Sequence, residues 1–262
     1  MIQYITSAKN PQIQHVKQLA STSKYRQKHQ QTVLDGIHLC DAYLRAGGIP
    51  EQVIVGMGSM ANKEVSSLLF RVDESVPIIE MPESLYERIS TLEQGVAILF
   101  VINLPEKRVA ATLENDALIL DTVQDPGNVG AMLRTAAAAG VKEIYLSAGS
   151  ASVWAPKVLR AGMGAHFALV IYENTDLAVL VERATIPVVA TSLTAKETLY
   201  DKDLSTPHAW LLGNEGAGVS EELLKLCEKD AVIIPQSDRV ESLNVAAATA
   251  VCLFEQRRQR LS

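Results

Sequence analysis

Cysteine is scarce in this sequence, and what there is lies scattered. The three thiols, Cys40, Cys227 and Cys252, form no C-x-x-C pair. That argues against a zinc ribbon or a disulfide framework and fits a reducing compartment, with the cytoplasm as the expected location and no metal site expected. Positive charge is short as well: 24 Lys and Arg face 30 Asp and Glu, for a net charge of −6. This argues against binding to a polyanion through bulk charge, although a local basic patch stays open. No apolar run reaches the ~18 residues of a membrane span. The opening MIQYITSAKNPQIQ has no basic segment leading into a long apolar stretch, so no secretory signal is expected. Internal repeats and low-complexity tracts are missing too. Core material is plentiful: hydrophobic residues make 48% of the 262, enough for one large domain or two ordinary ones.

Short apolar runs recur along the chain: 52–55, 76–79, 96–102, 117–120, 143–146, 167–172, 187–191, 209–213 and 231–235. Helix-like segments fall between many of them, near 10–20, 36–46, 128–139, 176–184, 220–227 and 243–259. Strands alternating with helices indicate an α/β architecture with a largely parallel sheet. The polar stretch LPEKRVAATLEND interrupts this rhythm and follows a strand able to close a first unit. It places a first domain at 1–104, a linker at 105–116 and a second domain at 117–262.

Cationic side chains gather at both ends. Lys9, His15, Lys17, Lys24, Arg26, Lys28 and His29 stand near the start with Tyr25 among them, and Arg257, Arg258 and Arg260 near the end. Such clusters serve as a footprint for RNA or simply as a solvated face. Residues 53–61, VIVGMGSMA, outline a dinucleotide-binding turn. The helix after it is short, and Asp73 and Glu74 follow a poor strand signal. An ordinary glycine-rich turn is the better reading, and a nicotinamide-dependent oxidoreductase stays as an alternative.

Three clusters in the second half carry the chemistry. In the first, DPGNVGAMLRTAAAAG, a turn opens into a small-residue helix broken by Arg134. Arg134 lies four residues past Gly130 on one helical face. It is either a functional cation or an arginine snorkelling from a packed helix. The second, LLGNEGAG at 211–218, ends an apolar strand in a glycine-rich turn carrying Glu215. No P-loop lysine accompanies it, so it is no triphosphate cradle. It reads as a ligand site at a strand end or as a structural turn. The third runs from Ile233 and Ile234 through Pro235 and a charged loop with Asp238, Arg239 and Glu241. It ends in Ser242-Leu243-Asn244, with Ser242 opening a helix. There, backbone and side chains look placed to serve a ligand together.

In their order, Asn128-x-Gly130-x-x-x-Arg134-Thr-Ala, Leu212-Gly213-Asn-Glu215-Gly, and Ile234-Pro followed by Ser242-Leu243-Asn244-Val-Ala resemble the three motifs of the SpoU (TrmH-like) RNA 2′-O-ribose methyltransferases of the SPOUT class. Pro156 to Ala165 resembles that family's segment between the first two motifs. Ile5 to Pro11 and residues 33–47 are similar, more loosely, to its substrate-binding domain.

The resemblance implies a small N-terminal α/β domain of ribosomal-protein type that binds RNA. It also implies a C-terminal SPOUT domain with a deep trefoil knot, and a homodimer with composite sites. S-adenosylmethionine is the implied cofactor and a ribose 2′-hydroxyl, most of all in large-subunit ribosomal RNA, the implied target. Transfer RNA and a catalytically silent assembly factor stand as alternatives. Arg134, Asn128, Glu215, Ser242 and Asn244 then fall at catalytic positions, with Asn128 orienting Arg134 or the RNA, and Glu215 anchoring the loop or positioning Arg134. Thr191, Ser192, Leu193, Leu212, Gly213, Ile234 and Leu243 fall at cofactor positions. Lys9, Lys24, Arg26 and Lys28 would meet RNA. Gln236 departs from the methionine common after Ile-Pro.

Overall fold

The computed structural model describes residues 2–92, 95–106, 108–109, 112–237, 239 and 241–261. Asp238, from the charged loop, and Lys107, Ala110 and Ala111, from the expected linker, lie outside them. Two compact units form: Met1–Glu106 with Trp154–Phe167, and Lys107–Val153 with Ala168–Ser262.

In the first unit the order is β1 (Ile2–Tyr4), α1 (Pro11–Ser21), α2 (Ser23–His29), β2 (Gln31–Asp35), α3 (Ile37–Arg45), β3 (Gln52–Gly56), α4 (Lys63–Phe70), β4 (Ile78–Met81), α5 (Glu83–Tyr86) and β5 (Ile98–Asn103). The sheet order is β1-β4-β3-β5-β2. It is mixed: β4 runs parallel to β1 and β3, whereas β5 is antiparallel to β2 and β3. Both faces are covered, which is why β2, β3 and β5 are buried almost throughout. One core gathers Ile13, Val16 and Leu19 of α1 against Ile54, Leu99 and Val101. The other sets Leu39, Val65 and Leu68 against Val53, Val55 and Phe100.

The G-x-G-x-x-A outline is structural. A Cβ on Gly56 would come within 2.5 Å of that of Ala97, and the chain passes through a short 3-10 turn to α4. There the Asn62 side chain accepts from the amides of Glu64 and Val65. The helix start that would face a pyrophosphate is therefore already capped.

The second unit begins with β6 (Ala117–Leu120), α6 (Pro126–Ala139) and β7 (Glu143–Leu146). The chain then supplies α7 (Pro156–Gly162), which packs with the first unit: Leu159 lies in that unit's core, Thr32 Oγ1 donates to the Trp154 carbonyl at 2.8 Å, and an Arg160 amino group donates to the Thr91 carbonyl at 2.7 Å. Residues 154–167 thus interrupt the stretch expected as one continuous domain from 117. The second unit resumes with β8 (Val170–Tyr172), α8 (Leu177–Glu182), β9 (Val188–Ala190), β10 (Glu197–Thr198), β11 (Ala209–Leu212), α9 (Glu221–Leu226), β12 (Val232–Ile233) and α10 (Val245–Leu261).

Its five-stranded sheet, β8-β7-β6-β11-β9, is parallel throughout. Fully buried ALIL and AWLL make its centre, as expected of parallel strands covered on both faces. The small residues of α6 serve close packing: Gly130 and Ala136 are buried with Val129, Met132 and Leu133, and α10 is the helix packed against α6.

The C-terminal arginines are largely committed to this unit. Arg260 makes a forked pair with Asp116 and donates to the carbonyls of Leu204 and Thr206, Arg258 pairs with Glu255, and Arg257 donates to the Ala139 carbonyl. Arg257 and Arg260 tie α10 to the rest of the unit, whereas the Arg258–Glu255 pair lies within α10 itself. Among the described residues no helix is long and apolar enough to cross a membrane, and no group of three or more His, Cys, Asp or Glu is placed to hold a metal ion.

Candidate active site

The central strands β6 and β11 lie side by side and end at the same edge of the sheet. Their loops therefore meet, although about ninety residues of chain separate them. After β6, buried Asp121 accepts the amide of Ser220 at 2.9 Å, and the Thr122 carbonyl accepts from Asn214 Nδ2 at 2.9 Å. Pro126 is the first residue of α6, where its missing N–H costs nothing, and Asp125 Oδ1 caps the helix by accepting the Asn128 amide at 2.8 Å.

After β11 the loop 213–218 closes on itself. Asn214 Oδ1 accepts the amides of Gly216 and Ala217 at 2.9 and 3.0 Å, and Asn214 and Gly218 exchange backbone bonds of 2.9 Å. A Cβ on Gly213 would lie 2.0 Å from the Gly218 carbonyl carbon and 2.1 Å from the Val219 nitrogen. Backbone packs on backbone here, and only glycine fits.

Glu215 is turned back onto α6. Its carboxylate accepts the amides of Gln124 and Asp125 at 3.2 and 3.0 Å and Asn128 Nδ2 at 3.1 Å. Desolvation works to raise its pKa. The Asn128 hydrogen bond and the backbone amides outweigh that and hold it below the usual carboxylate value. A negative group at this helix start also meets the positive end of the macrodipole. Asn128 Oδ1 in turn accepts from Asn244 Nδ2 at 3.0 Å, while Asn244 Oδ1 caps α10 through the amides of Ala246 and Ala247. One carboxamide thus joins all three motifs. The helix cap expected at Ser242 belongs to Asn244.

Beside this junction opens a cavity of about 500 Å³, inside the ~300–1,000 Å³ range of small-molecule sites. Thr191, Ser192, Leu193, Leu212, Gly213, Ile234 and Leu243, all expected at cofactor positions, line it together with Glu215, Ser242 and Asn244. Leu193 and Leu243 keep 59% and 38% of their surface exposed, so the cavity has apolar side chains open to solvent among its walls. Gln236 adds a buried Oε1 with no hydrogen-bond partner. Apolar walls, strand-end backbone and a few polar groups form a donor set suited to a nucleoside with a polar tail. A Cβ at Gly213 would disrupt that wall.

Arg134 stands apart. It is exposed, its side chain makes no hydrogen bond or ion pair among the described residues, and it is not a wall of the cavity. Asn128 and Glu215 hold each other and not Arg134: of the two roles expected of Glu215, its bonds fit anchoring the loop, and for Asn128 the one left is toward the RNA. Of the residues expected to meet RNA, Lys9, Lys24 and Lys28 are exposed. Arg26 is not: it is 6% exposed and donates to the Leu19 carbonyl at 2.9 Å, so it is a structural residue of the α1–α2 corner.

Asp121 and Asn214 were missed as site builders. Asn two residues before Gly is a signal for the second, whereas Asp121 shows itself only through β11.

The description "SpoU rRNA Methylase family" fits residues 116–254, and "MRM3-like substrate binding domain" fits residues 10–99. The chain belongs to the SpoU rRNA methylase family. Among curated SpoU relatives, an uncharacterised tRNA/rRNA methyltransferase of Synechocystis is 34% identical over 98% of this chain and 94% of its own. The 23S rRNA (guanosine(2553)-2′-O)-methyltransferase RlmP of Bacillus subtilis is 31% identical over 97% and 98%. The crystal structure of the AdoMet-bound rRNA methyltransferase from Sinorhizobium meliloti superposes with a TM-score of 0.84 at 27% identity, covering 100% and 99% of the two chains. The SpoU model spans the whole cavity wall and the Asn128–Glu215–Asn244 junction. S-adenosylmethionine is accordingly the cofactor whose chemistry matches these walls.

Proposed function

We propose that this SpoU enzyme methylates a ribose 2′-hydroxyl of large-subunit ribosomal RNA. The observation that carries the reading is the cavity itself, whose walls are drawn from the second and third motifs and whose rim is tied to the first through Asn128. When bound, S-adenosylmethionine supplies an activated methyl group on a sulfonium ion. The chain's task is then to hold the hydroxyl in line and help its proton leave. Leu193, Leu212, Ile234 and Leu243 hold the nucleoside part, and Gly213 lets the 213–218 loop close tightly enough to form its wall. Glu215 is ionised but committed to three donors, so it shapes the loop and does not serve as the base.

Arg134 is a phosphate clamp. A guanidinium hardly gives up its proton, but it binds a phosphodiester through two parallel hydrogen bonds, and a phosphate oxygen then takes the hydroxyl proton. Its place outside the cavity of its own chain favours a composite site in a homodimer. Phe254 and Leu261, apolar and exposed on α10, support such a partner face. The reading includes a trefoil knot, supported by the SpoU family match over residues 116–254. It also includes a ribosomal-protein-type fold for the mixed first sheet and, from three free, buried thiols, the cytoplasm.

The test is transfer of labelled methyl from S-adenosylmethionine to ribosomal RNA lacking this modification, with wild type, Arg134→Lys and Arg134→Ala in parallel. Nuclease-resistant label with wild type, strongly reduced in both variants, is expected. No label from protein that binds the cofactor would overturn the enzyme reading, and a fully active lysine variant would overturn the forked clamp.

A further inference from the structure

Residues 1–34 contain no Asp or Glu, yet they carry Lys9, Lys17, Lys24, Arg26 and Lys28 in a chain of net charge −6. With Arg26 turned inward, Lys24 and Lys28 stay exposed on α2, which also carries two of three clustered aromatic rings. Tyr25 and His29, four residues apart on α2, have ring centroids 4.2 Å apart with planes tilted by 32°; His15 of α1 meets Tyr25 at 5.5 Å and His29 at 5.1 Å, both edge-on. Tyr25 is half-buried against the core and His29 is exposed. Inward, the stack has a floor; outward, it shows a ring to solvent.

The floor is built with a defined direction. Glu51, an acceptor when ionised, takes Asn103 Nδ2 at 2.6 Å, which turns Asn103 Oδ1 toward Gln31 Nε2 at 3.1 Å. Gln31 Oε1 must then face His15 Nε2, 2.8 Å away, so that nitrogen carries the hydrogen, and His15 Nδ1 is left to accept from the Tyr25 hydroxyl at 3.0 Å. Five side chains drawn from α1, α2, β2, β5 and the start of the β3 segment thereby fix one tyrosine ring. A solvated charged face has no use for such a chain; a preorganised aromatic surface does, because ordering done beforehand is not charged to binding. Desolvation holds the exposed imidazole of His29 below its usual pKa.

We propose that Tyr25 and His29 form a stacking platform for an unpaired base of the RNA substrate, with Lys24 and Lys28 holding the flanking phosphates. Sequence-specific RNA recognition works through splayed bases on aromatic rings, with lysines on the backbone. The proposal rests on the ribosomal-RNA reading above and adds to it which part of the substrate the first unit grips: a single-stranded, unstacked nucleotide.

The test uses the full chain and two end-labelled probes of equal length, a single-stranded oligoribonucleotide and its abasic counterpart. His29→Ala weakens binding to the first by about five- to 150-fold, the equivalent of the ~1–3 kcal/mol of one base–aromatic stack, and leaves the abasic probe unchanged. His29→Phe restores the loss. Lys24→Gln weakens both probes alike and lowers the salt slope, which His29→Ala does not. Equal effects of His29→Ala on both probes, no effect on either, or no rescue by phenylalanine would each overturn the platform. Methyl transfer is measured separately on the same proteins. Turnover on ribosomal RNA with an inert His29→Ala sinks only the platform, and base-dependent binding without turnover sinks only the enzyme reading.

Discussion

Asn128 is a side chain whose polarity can be inverted. Its amide nitrogen donates to Glu215 at 3.1 Å and its amide oxygen accepts from Asn244 at 3.0 Å. Asn128→Ala removes both bonds at a solvent-accessible junction and costs about 1–2 kcal/mol, five- to thirtyfold in the population of the ordered site. Asn128→Asp is worse despite its identical shape. It loses the donor and sets a second carboxylate against Glu215; at that distance water-screened repulsion alone is about 1 kcal/mol, and with the lost bond the total reaches about 2–3 kcal/mol, thirty- to 150-fold.

Adding Glu215→Gln to Asn128→Asp reverses the pair. The new glutamine donates, the new aspartate accepts, and the Asn244 bond survives. The double variant should recover most of the affinity that the single aspartate loses. Calorimetric titration with S-adenosylhomocysteine and single-turnover methyl transfer read the effect, and a double-mutant cycle isolates the coupling. An aspartate variant as tight as wild type, or a double variant no better than the sum of the singles, would refute the junction as what orders the cavity rim.

Arg26→Ala should lower the melting temperature, because it leaves the Leu19 carbonyl unpaired in a buried corner at a cost of about 1–3 kcal/mol, while the salt dependence of RNA binding stays as in wild type. Lys28→Gln should do the reverse, reducing the slope by about 0.7 without a thermal effect. The α10 clasp should be acid-labile. Desolvation lowers the pKa of buried His208, whereas for Asp116 desolvation raises it but the Arg260 bond and the His208 amide outweigh that and lower it. Both folded values therefore lie below the unfolded ones, so their stabilisation is complete above about pH 6.5 and is lost as pH falls, first through His208 and then through Asp116. Calorimetric scans should show a fall from pH 6.5 to 5 that His208→Gln flattens; the same fall in that variant would contradict the assignment.

Strand composition made the second unit's sheet legible. ALIL and EIYL are strands as read, since parallel strands buried on both faces are plain apolar runs. β2 was invisible because its last residues, Leu34 and Asp35, run straight into the turn at Gly36 and α3, and nothing local separates them. The seven-residue α2 escaped because SKYRQKH has no apolar stripe, only Tyr25 to hold it down. FALVIY shortens to Val170–Tyr172 because Ala165–Ala168 turn as a 3-10 helix. Within the site, each motif announced itself as polar residues at a strand end. The partners did not: Asn128 with Glu215 and with Asn244 are pairings across 87 and 116 residues, and they follow from β11 lying beside β6 and α10 packing on α6, which no spacing encodes. Arg26 points inward for the same reason: on a short helix, packing decides which of several cations is swallowed.

The adjacency of β6 and β11 also has a kinetic meaning. Pairings this distant in sequence close large loops before they gain contacts, which makes folding slow and leaves hydrophobic edges uncovered meanwhile. Here the junction of the three motifs waits longer still, because its last tie, Asn244 to Asn128, arrives with the first turn of α10. A nascent chain held on a ribosome with residue 244 still enclosed would have both sheets largely available and no assembled site. Until α10 is free to fold back onto α6, the junction that joins the three motifs stays open.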